Sequence, residues 1–343
     1  MILLLVVGAR ARCLTAYRRY GSARMRRFLV VIALAAALTG CGGGGEDSAS
    51  APTVTVGLDF TPNAAHAGIY AAVRTGRDEE NGVRIKIRPP AGGSPDSLKL
   101  LATRRADIAV LDIHDLGLAI QQGTDVVGVG ALVQRPLAAV IARADSGVER
   151  PRELKGHDVG VAGLPSDDAV LRAVVEDDGG NFDDVHRITI GFGAVANLLA
   201  GKVDAATAFW NAEGVVLRER GLKTREFRVD DFGAPRYPEV VLVVRRDTLE
   251  ERRDDVAAAV QAIAEGTQDA LDDRDATVAE IAAASESDKD LVRAQLDAVA
   301  PAMTPPLVLN RSALEGWSRW DAEFGILDQP VDVDRAFVFD LLS

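Results

Sequence analysis

Thiol chemistry is the first thing this sequence lacks. Only two cysteines occur among 343 residues, Cys13 and Cys41, both in or beside the N-terminal segment. The body therefore holds none for a disulfide, a zinc thiolate or a nucleophile. Histidines are also few: His66, His114, His157 and His186 are scattered, no two stand at a metal-ligand spacing on one helix, and HExxH is absent. No metal site and no cofactor are expected on that basis. Aromatics make up only 5% of residues against 48% hydrophobic, so the core is built mostly from Ala, Val, Leu and Ile. Basic charge is scarce where it would count. Seven arginines and no acid fall within residues 1–40, so removing that segment takes the net charge from −12 to −19. Such a body has no basic footprint for nucleic acid.

Residues 25–41 read as an address. Arg26 and Arg27 precede an apolar run over 28–38, and Leu38-Thr39-Gly40-Cys41 closes it. That is a positive n-region, an h-region and a small-residue cleavage site. The run is shorter than the roughly 20 apolar residues a membrane-spanning helix needs. Its last four residues resemble the bacterial lipobox, which implies lipidation of Cys41 and anchoring to the outer face of the cell membrane. Gly42 to Gly45 and the polar residues after them supply a flexible tether. Met25 is an alternative start to Met1.

Beyond Pro52, apolar strands alternate with helical segments, the mark of βαβ units and a largely parallel sheet. Strands are expected over 53–58, 83–88, 107–111, 126–133 and 136–143, with helices over 64–80, 95–104 and 113–122 between the first four. A second alternation places strands over 158–162, 186–190 and 204–208 and helices over 166–177, 194–200 and 211–221. Residues 240–245 return as a strand before a helical tail over 256–272, 276–283, 288–299 and 312–324. The fold class is α/β, with two α/β lobes and a helical C-terminal tail. The expected division is 1–40 as signal segment, 41–51 as tether, 52–145 with 238–343 as lobe 1, and 146–237 as lobe 2.

Open α/β sheets hold ligands at the carboxyl ends of their strands. The first strand ends in Asp59-Phe60-Thr61-Pro62-Asn63, with Thr61 suited to cap a helix and Pro62 to begin it. Helical spacing aligns Asn63, His66 and Tyr70 on one face, away from the apolar stripe; local capping by Asn63 is the plainer alternative. Asp112 follows the third strand and Gln134 the fourth. In the second lobe Ser166 is the expected N-cap, followed by Asp167 and Asp168. These two acids complement the positive end of the helix, which disfavours an anionic ligand there, and ordinary dipole compensation explains them equally well. Trp210 ends another strand as a flat wall, with Asn211 and Glu213 able to bond the edge of a planar ring. Tyr237 and Glu239 precede the returning strand. The reading turns on Asn63, His66, Trp210 and Glu239 lining one gap between two hinged halves; Trp210 deep within one half, or the four facing different surfaces, would sink it.

With residues 59–70 (DFTPNAAHAGIY), 131–136 (ALVQRP), 191–195 (GFGAV), 209–213 (FWNAE) and 237–243 (YPEVVLV) in view, the chain resembles the THI5/NMT1-like family of ABC-transporter substrate-binding proteins. The resemblance implies the type II periplasmic-binding-protein fold, with two lobes closing about a two-stranded hinge. It also implies a monomer that serves an ABC permease and its ATPase. The ligand it implies is a thiamine pyrimidine precursor, hydroxymethyl- or formylaminomethyl-substituted, held between aromatic side chains. An aminopyrimidine would donate to Asp59, Asp112 or Glu213 and stack on Trp210 or Tyr70. Riboflavin, a sulfonate, nitrate or an amine remain alternatives on the same fold. Eukaryotic members are pyrimidine-forming enzymes that use pyridoxal phosphate on a lysine and a cysteine-rich iron-binding run. Leu111 stands at the lysine's position, and residues 233–238 contain no cysteine.

Overall fold

In the computed structural model of the chain, residues 51–90 and 95–342 are described; the signal segment, Cys41 and the tether to residue 50 lie outside them. Ten strands form two five-stranded sheets. The first contains β1 (Thr53–Gly57), β2 (Arg84–Arg88), β3 (Ile108–Asp112), β4 (Val126–Ala131) and β10 (Val240–Arg245), in the order β2-β1-β3-β10-β4. The second contains β5 (Ala138–Arg143), β6 (Asp158–Val161), β7 (His186–Thr189), β8 (Ala205–Phe209) and β9 (Thr224–Arg228), in the order β7-β6-β8-β5-β9. The two orders are equivalent. In each sheet three parallel strands are followed by one that arrives from the other sheet and runs antiparallel: β10 between β3 and β4, and β5 between β8 and β9.

This insertion refines one expectation and corrects another. Four strands of each sheet run one way, as a largely parallel sheet requires, and the fifth opposes them because a strand entering from the opposite lobe begins at the carboxyl edge of its neighbours. The lobe boundary expected after residue 145 also falls one strand late, since β5 pairs with β8 and β9 in the second sheet. The chain thus crosses between β4 and β5 and returns between β9 and β10. Strand β9 and the helix Arg246–Glu251 lie outside the expected elements; β9, TREFR, is half-buried and too charged to read as apolar alternation.

Strands β3, β4 and β10 are covered on both faces, as their unbroken Val, Ala, Ile and Leu runs require. The tail passes directly over β4. A Cβ on Gly128 would meet the Phe337 ring at 2.4 Å, and one on Gly130 would meet Leu307 at 2.6 Å, so only glycine lets those segments seat. The expected helix over 64–80 is three pieces: a 3-10 turn Ala64–His66, a helix Ala67–Thr75 and, beyond Gly76 at φ 77°, a short helix Arg77–Glu80. The helix Lys289–Val299 packs against both the Ala64–His66 turn and the helix Glu213–Glu219, linking the lobes beside their cleft.

Ala67–Thr75, which follows the first turn of the cleft, is held by the long helix Arg253–Asp272. A Cβ on Gly266 would stand 2.5 Å from both the Ala72 nitrogen and the Gly68 oxygen, backbone atoms that cannot swing aside. Gly266→Ala is therefore expected to cost about 2 kcal/mol of stability through overpacking, read as a lower denaturant midpoint at unchanged slope. An unchanged midpoint would mean that the two helices are not in this contact.

Candidate ligand cleft

The insertion topology decides what meets at the cleft. Val240 pairs with Asp112 and Ala138 with Phe209, so each inserted strand starts beside a parallel strand's carboxyl end. The two crossovers then run side by side: Glu239 N–H donates to the Val133 carbonyl (3.2 Å), and Leu137 N–H donates to Glu239 Oε2 (2.7 Å). Between the sheets lies a cavity of about 210 Å³. It is the size for one small molecule.

Nine of the thirteen expected residues line it: Asp59, Phe60, Asn63, His66, Asp112, Ser166, Asn211, Glu213 and Glu239. Their local bonds are well defined. Asn63, not Thr61, caps the 3-10 turn, its Oδ1 accepting from Ala65 N–H (2.9 Å). Asn63 N–H donates to His66 Nδ1 (3.2 Å), which fixes the tautomer and leaves Nε2–H to donate to Asp59 Oδ1 (2.7 Å). Ser166 lies within the first turn of the helix Pro165–Asp177 rather than capping it. Asp167, third in that helix and also lining the cavity, reaches back to the loop ahead of it: its Oδ2 accepts from Gly163 and Leu164 N–H (both 2.8 Å), and Thr207 Oγ1–H donates to its Oδ1 (2.7 Å). A carboxylate therefore already stands beside the helix end that could have held an anion. Glu213 accepts from Phe209 N–H (3.1 Å), and burial raises its carboxyl above the ordinary range.

Four expected residues do not line the cavity. Trp210 is only 2% exposed; its Nε1–H donates to the Pro136 carbonyl (3.0 Å) and the Arg228 guanidinium sits 4.1 Å over its ring, so it wedges against the crossover. Of the four residues required to share one gap, Asn63, His66 and Glu239 do so; Trp210 fails the requirement, and with it the ring wall expected there, so the shared gap stands on the other three. Tyr70 is buried in the apolar core, where burial first and Glu280 second push its hydroxyl up to about 12. Gln134 ties the first crossover to the tail, donating to the carbonyls of Pro305 (2.8 Å) and Val308 (3.0 Å). Tyr237 is fully buried behind the cavity wall, its hydroxyl 3.2 Å from His114 Nε2.

His114 is the residue the sequence reading missed. It lines the cavity floor together with Asp112, Asp115 and Glu239. Its Nδ1–H donates to Asp321 Oδ2 (2.9 Å), a partner 207 residues away on the helix Arg311–Glu323, and Glu239 Oε1 lies 4.0 Å from Nε2. Burial lowers its pKa, but Asp321, Asp112 and Glu239 overcome that and raise it to about 10, making it an imidazolium at neutral pH. Asp112 is pushed well up by burial and by Glu239 and Asp115, against the opposing pull of His114; Glu239 is raised by burial against His114 and two backbone N–H groups. Asp112, His114 and Glu239 place donor atoms within 4.8 Å of one another, a convergence that spacing along one helix could not reveal. As an imidazolium engaged at both nitrogens, His114 offers no lone pair, and the set serves as an ion network.

Phe192 is the other residue missed, 71% exposed on the cavity's edge between Gly191 and Gly193. Phe60 and Leu164 are also exposed and also line the cavity. Three of the five exposed large hydrophobics among the described residues therefore gather at this one opening.

The fold and the cleft together define a two-lobed protein of the periplasmic-binding-protein class. The match to the family described as NMT1/THI5 like covers residues 63–277, and the chain belongs to that family. A formylaminopyrimidine-binding protein of Halalkalibacterium halodurans is 32% identical over 222 residues, 64% of this chain and 67% of that one. Among solved structures, the periplasmic aliphatic sulphonate binding protein SsuA of Escherichia coli superposes at TM-score 0.68 with 18% identity, over 83% of this chain and 91% of its own. The desulfurization enzyme DSZB superposes at 0.59 with 15% identity, over 84% and 97%. At these identities the two structures share the fold alone.

The buried network predicts a pH dependence. His114 has a native pKa raised above its unfolded value near 6.5. Its contribution is full below that value and is lost as pH rises through about 10. The raised carboxyls act in the same direction at lower pH. The melting temperature is expected to fall between pH 7 and pH 10, and to fall less steeply in His114→Gln. Parallel curves for the two proteins would contradict the imidazolium assignment.

Proposed function

We propose that this chain is the non-catalytic ligand-capturing component of an ABC importer, anchored through lipid on Cys41 to the outer face of the cell membrane. Its ligand on this reading is an aminopyrimidine of the thiamine-precursor type. The observation that carries the choice is the lining of the cleft: six acidic side chains, the imidazolium of His114 already matched by buried acids, and no lysine or arginine. A sulfonate or nitrate would meet Asp167 where it needs a bare helix end. An amine-bearing ring meets acceptors instead. The 32% relative bears the name of such a ligand, which supports the same choice.

The expected aromatic wall moves from Trp210 and Tyr70 to Phe60 and Phe192. These stand on opposite lobes at the opening, so closure about the two crossovers would bring them toward the two faces of a flat ring. Cys41 and the glycine-rich tether lie outside the described residues; their support is the lipobox pattern alone. No helix among the described residues is long and apolar enough to cross a membrane.

Two measurements test this reading. In a thermal-shift panel of 4-amino-5-hydroxymethyl-2-methylpyrimidine, its formylaminomethyl relative, riboflavin, taurine and nitrate, only the two aminopyrimidines should raise the melting temperature. Ligand at a hundredfold over Kd adds about 2.7 kcal/mol, a shift of several degrees. Stabilisation by taurine or nitrate alone would overturn the ligand assignment. Cys41→Ser should move the protein from the membrane to the soluble fraction of its host, and an unchanged distribution would refute the anchor.

A further inference from the structure

Gln134, Arg135, Pro136, Trp210 and Tyr237 belong to the sequence motifs but not to the cavity wall. They gather at the two crossovers instead, and their bonds divide sharply between the lobes. On the first crossover, bonds up to Gln134 go to the first lobe. Leu132 N–H donates to the Val240 carbonyl (2.8 Å); Gln134 donates through its N–H to Ala302 (2.6 Å) and through its side chain to Pro305 and Val308 (2.8 and 3.0 Å). From Arg135 onward they go to the second lobe. The Arg135 guanidinium stands 2.6 Å from Asp230 Oδ2 and 5.7 Å over the Trp210 ring. The Pro136 carbonyl accepts from Trp210 Nε1–H and the Leu137 carbonyl from Trp210 N–H (both 3.0 Å). One peptide unit separates the two sets.

The second crossover divides in the same way. Ala234 N–H donates to the Val229 carbonyl (3.1 Å) on the second lobe. The next residue, Pro235, packs beside Gly316 on the helix Arg311–Glu323, and the Tyr237 ring meets His114 and Trp320 at centroid distances of 5.4 and 5.8 Å, all on the first lobe. A proline stands just beyond each junction, Pro136 and Pro235, and its locked φ leaves few torsions free to rotate there.

We propose that the lobes bend about two points, the Gln134–Arg135 and Ala234–Pro235 peptide units, and that Asp230 is the positioning residue that sets the first by fastening Arg135 to the second lobe. The Asp230 side chain is fully buried in the 3-10 turn Val229–Asp231 that follows β9. It faces a guanidinium from each crossover, Arg135 at 2.6 Å and Arg236 at 3.8 Å. The Arg135 contact is one of charge without hydrogen-bond alignment, since neither Asp230 oxygen nor Arg135 Nε has a hydrogen-bond partner. Separating the two would strand a buried carboxylate, which is costly, so Arg135 travels with the second lobe. Arg236 is 74% exposed and can follow the bending. Two contacts span the junctions. The Leu137 N–H to Glu239 bond lies beside the axis, where displacement is least, and the packing of the helix Lys289–Val299 on the helix Glu213–Glu219 can accommodate sliding. The inference rests on the ligand-capture reading for what drives the bending, not for where it occurs.

Residual dipolar couplings of the backbone amides in the mature, ligand-free protein test it. Fitted lobe by lobe, they should give two alignment tensors of different magnitude, because lobes that bend on the microsecond-to-millisecond scale average differently. Leu132, Val133, Gln134, Tyr237 and Glu239 should fit the first-lobe tensor, and Arg135, Leu137 and Ala234 the second. In Asp230→Asn, Arg135 should leave the second-lobe tensor while Ala234 stays in it; in Arg236→Gln neither should move. One tensor for the whole protein, a crossover run of three or more residues that fits neither tensor, or Arg135 unmoved in Asp230→Asn overturns the inference. If Asp230→Asn does not fold, the wild-type fit still decides the junctions. Added 4-amino-5-hydroxymethyl-2-methylpyrimidine should bring the two tensors to one magnitude with the same residues on each side. No response to it overturns the ligand reading and leaves the junctions to the ligand-free fit.

Discussion

The structure depends on one buried carboxylate. Glu239 is 1% exposed, at the start of the strand that returns to the first lobe, and it accepts the Leu137 N–H of the segment that left it. A single side chain therefore joins both crossovers at the point where they enter the cavity wall. Around it the two sheets repeat one arrangement, each with a foreign strand inserted antiparallel beside a parallel strand's carboxyl end. That arrangement explains why residues as distant as Asp112, Phe209 and Glu239 share a wall. An unpaired buried carboxylate would be costly here, and His114 offsets part of its charge from 4.0 Å.

Electrostatics then gives this cleft its character. Fold does not fix ligand, and the sulphonate-binding protein that superposes on this chain at 18% identity shares the fold alone. In this chain the helix N-terminus that could have welcomed an anion carries the negative charge of Asp167 in its first turn, and Asp167 is itself tied to β8 through Thr207. The imidazolium at His114 is spoken for by Asp321. What remains for a ligand is an acceptor-rich floor beneath an apolar opening. That combination suits a flat ring with N–H donors on its edge.

Much of the architecture was legible because strand–helix alternation is a local signal. The strand ends that carry Asp59, Asp112 and Glu213 could be placed to within a residue or two, and those residues do meet. Trp210 was misplaced for a reason particular to strand ends. A residue just past a strand lies on either wall or crossover according to where the chain turns, and the turn was set by a partner, the Pro136 carbonyl, that local pattern does not show. Tyr70 shared a helical face with His66 on paper, but the break between the 3-10 turn and the following helix rotated it into the core. His114 was passed over because its defining partner, Asp321, lies in the tail. Phe192 does carry a local signal, a large apolar residue between two glycines after a strand.

The proposal is that one small ring is captured between the two lobes with its polar edge on the acids. A crystal structure of the mature protein with 4-amino-5-hydroxymethyl-2-methylpyrimidine tests it most directly. The expected result is the ring inside the cavity, its faces toward Phe60 and Phe192 and its exocyclic nitrogen within hydrogen-bonding distance of a carboxylate on the cavity wall. A ring bound elsewhere, or in the cleft with its amine turned away from the carboxylates, would contradict it.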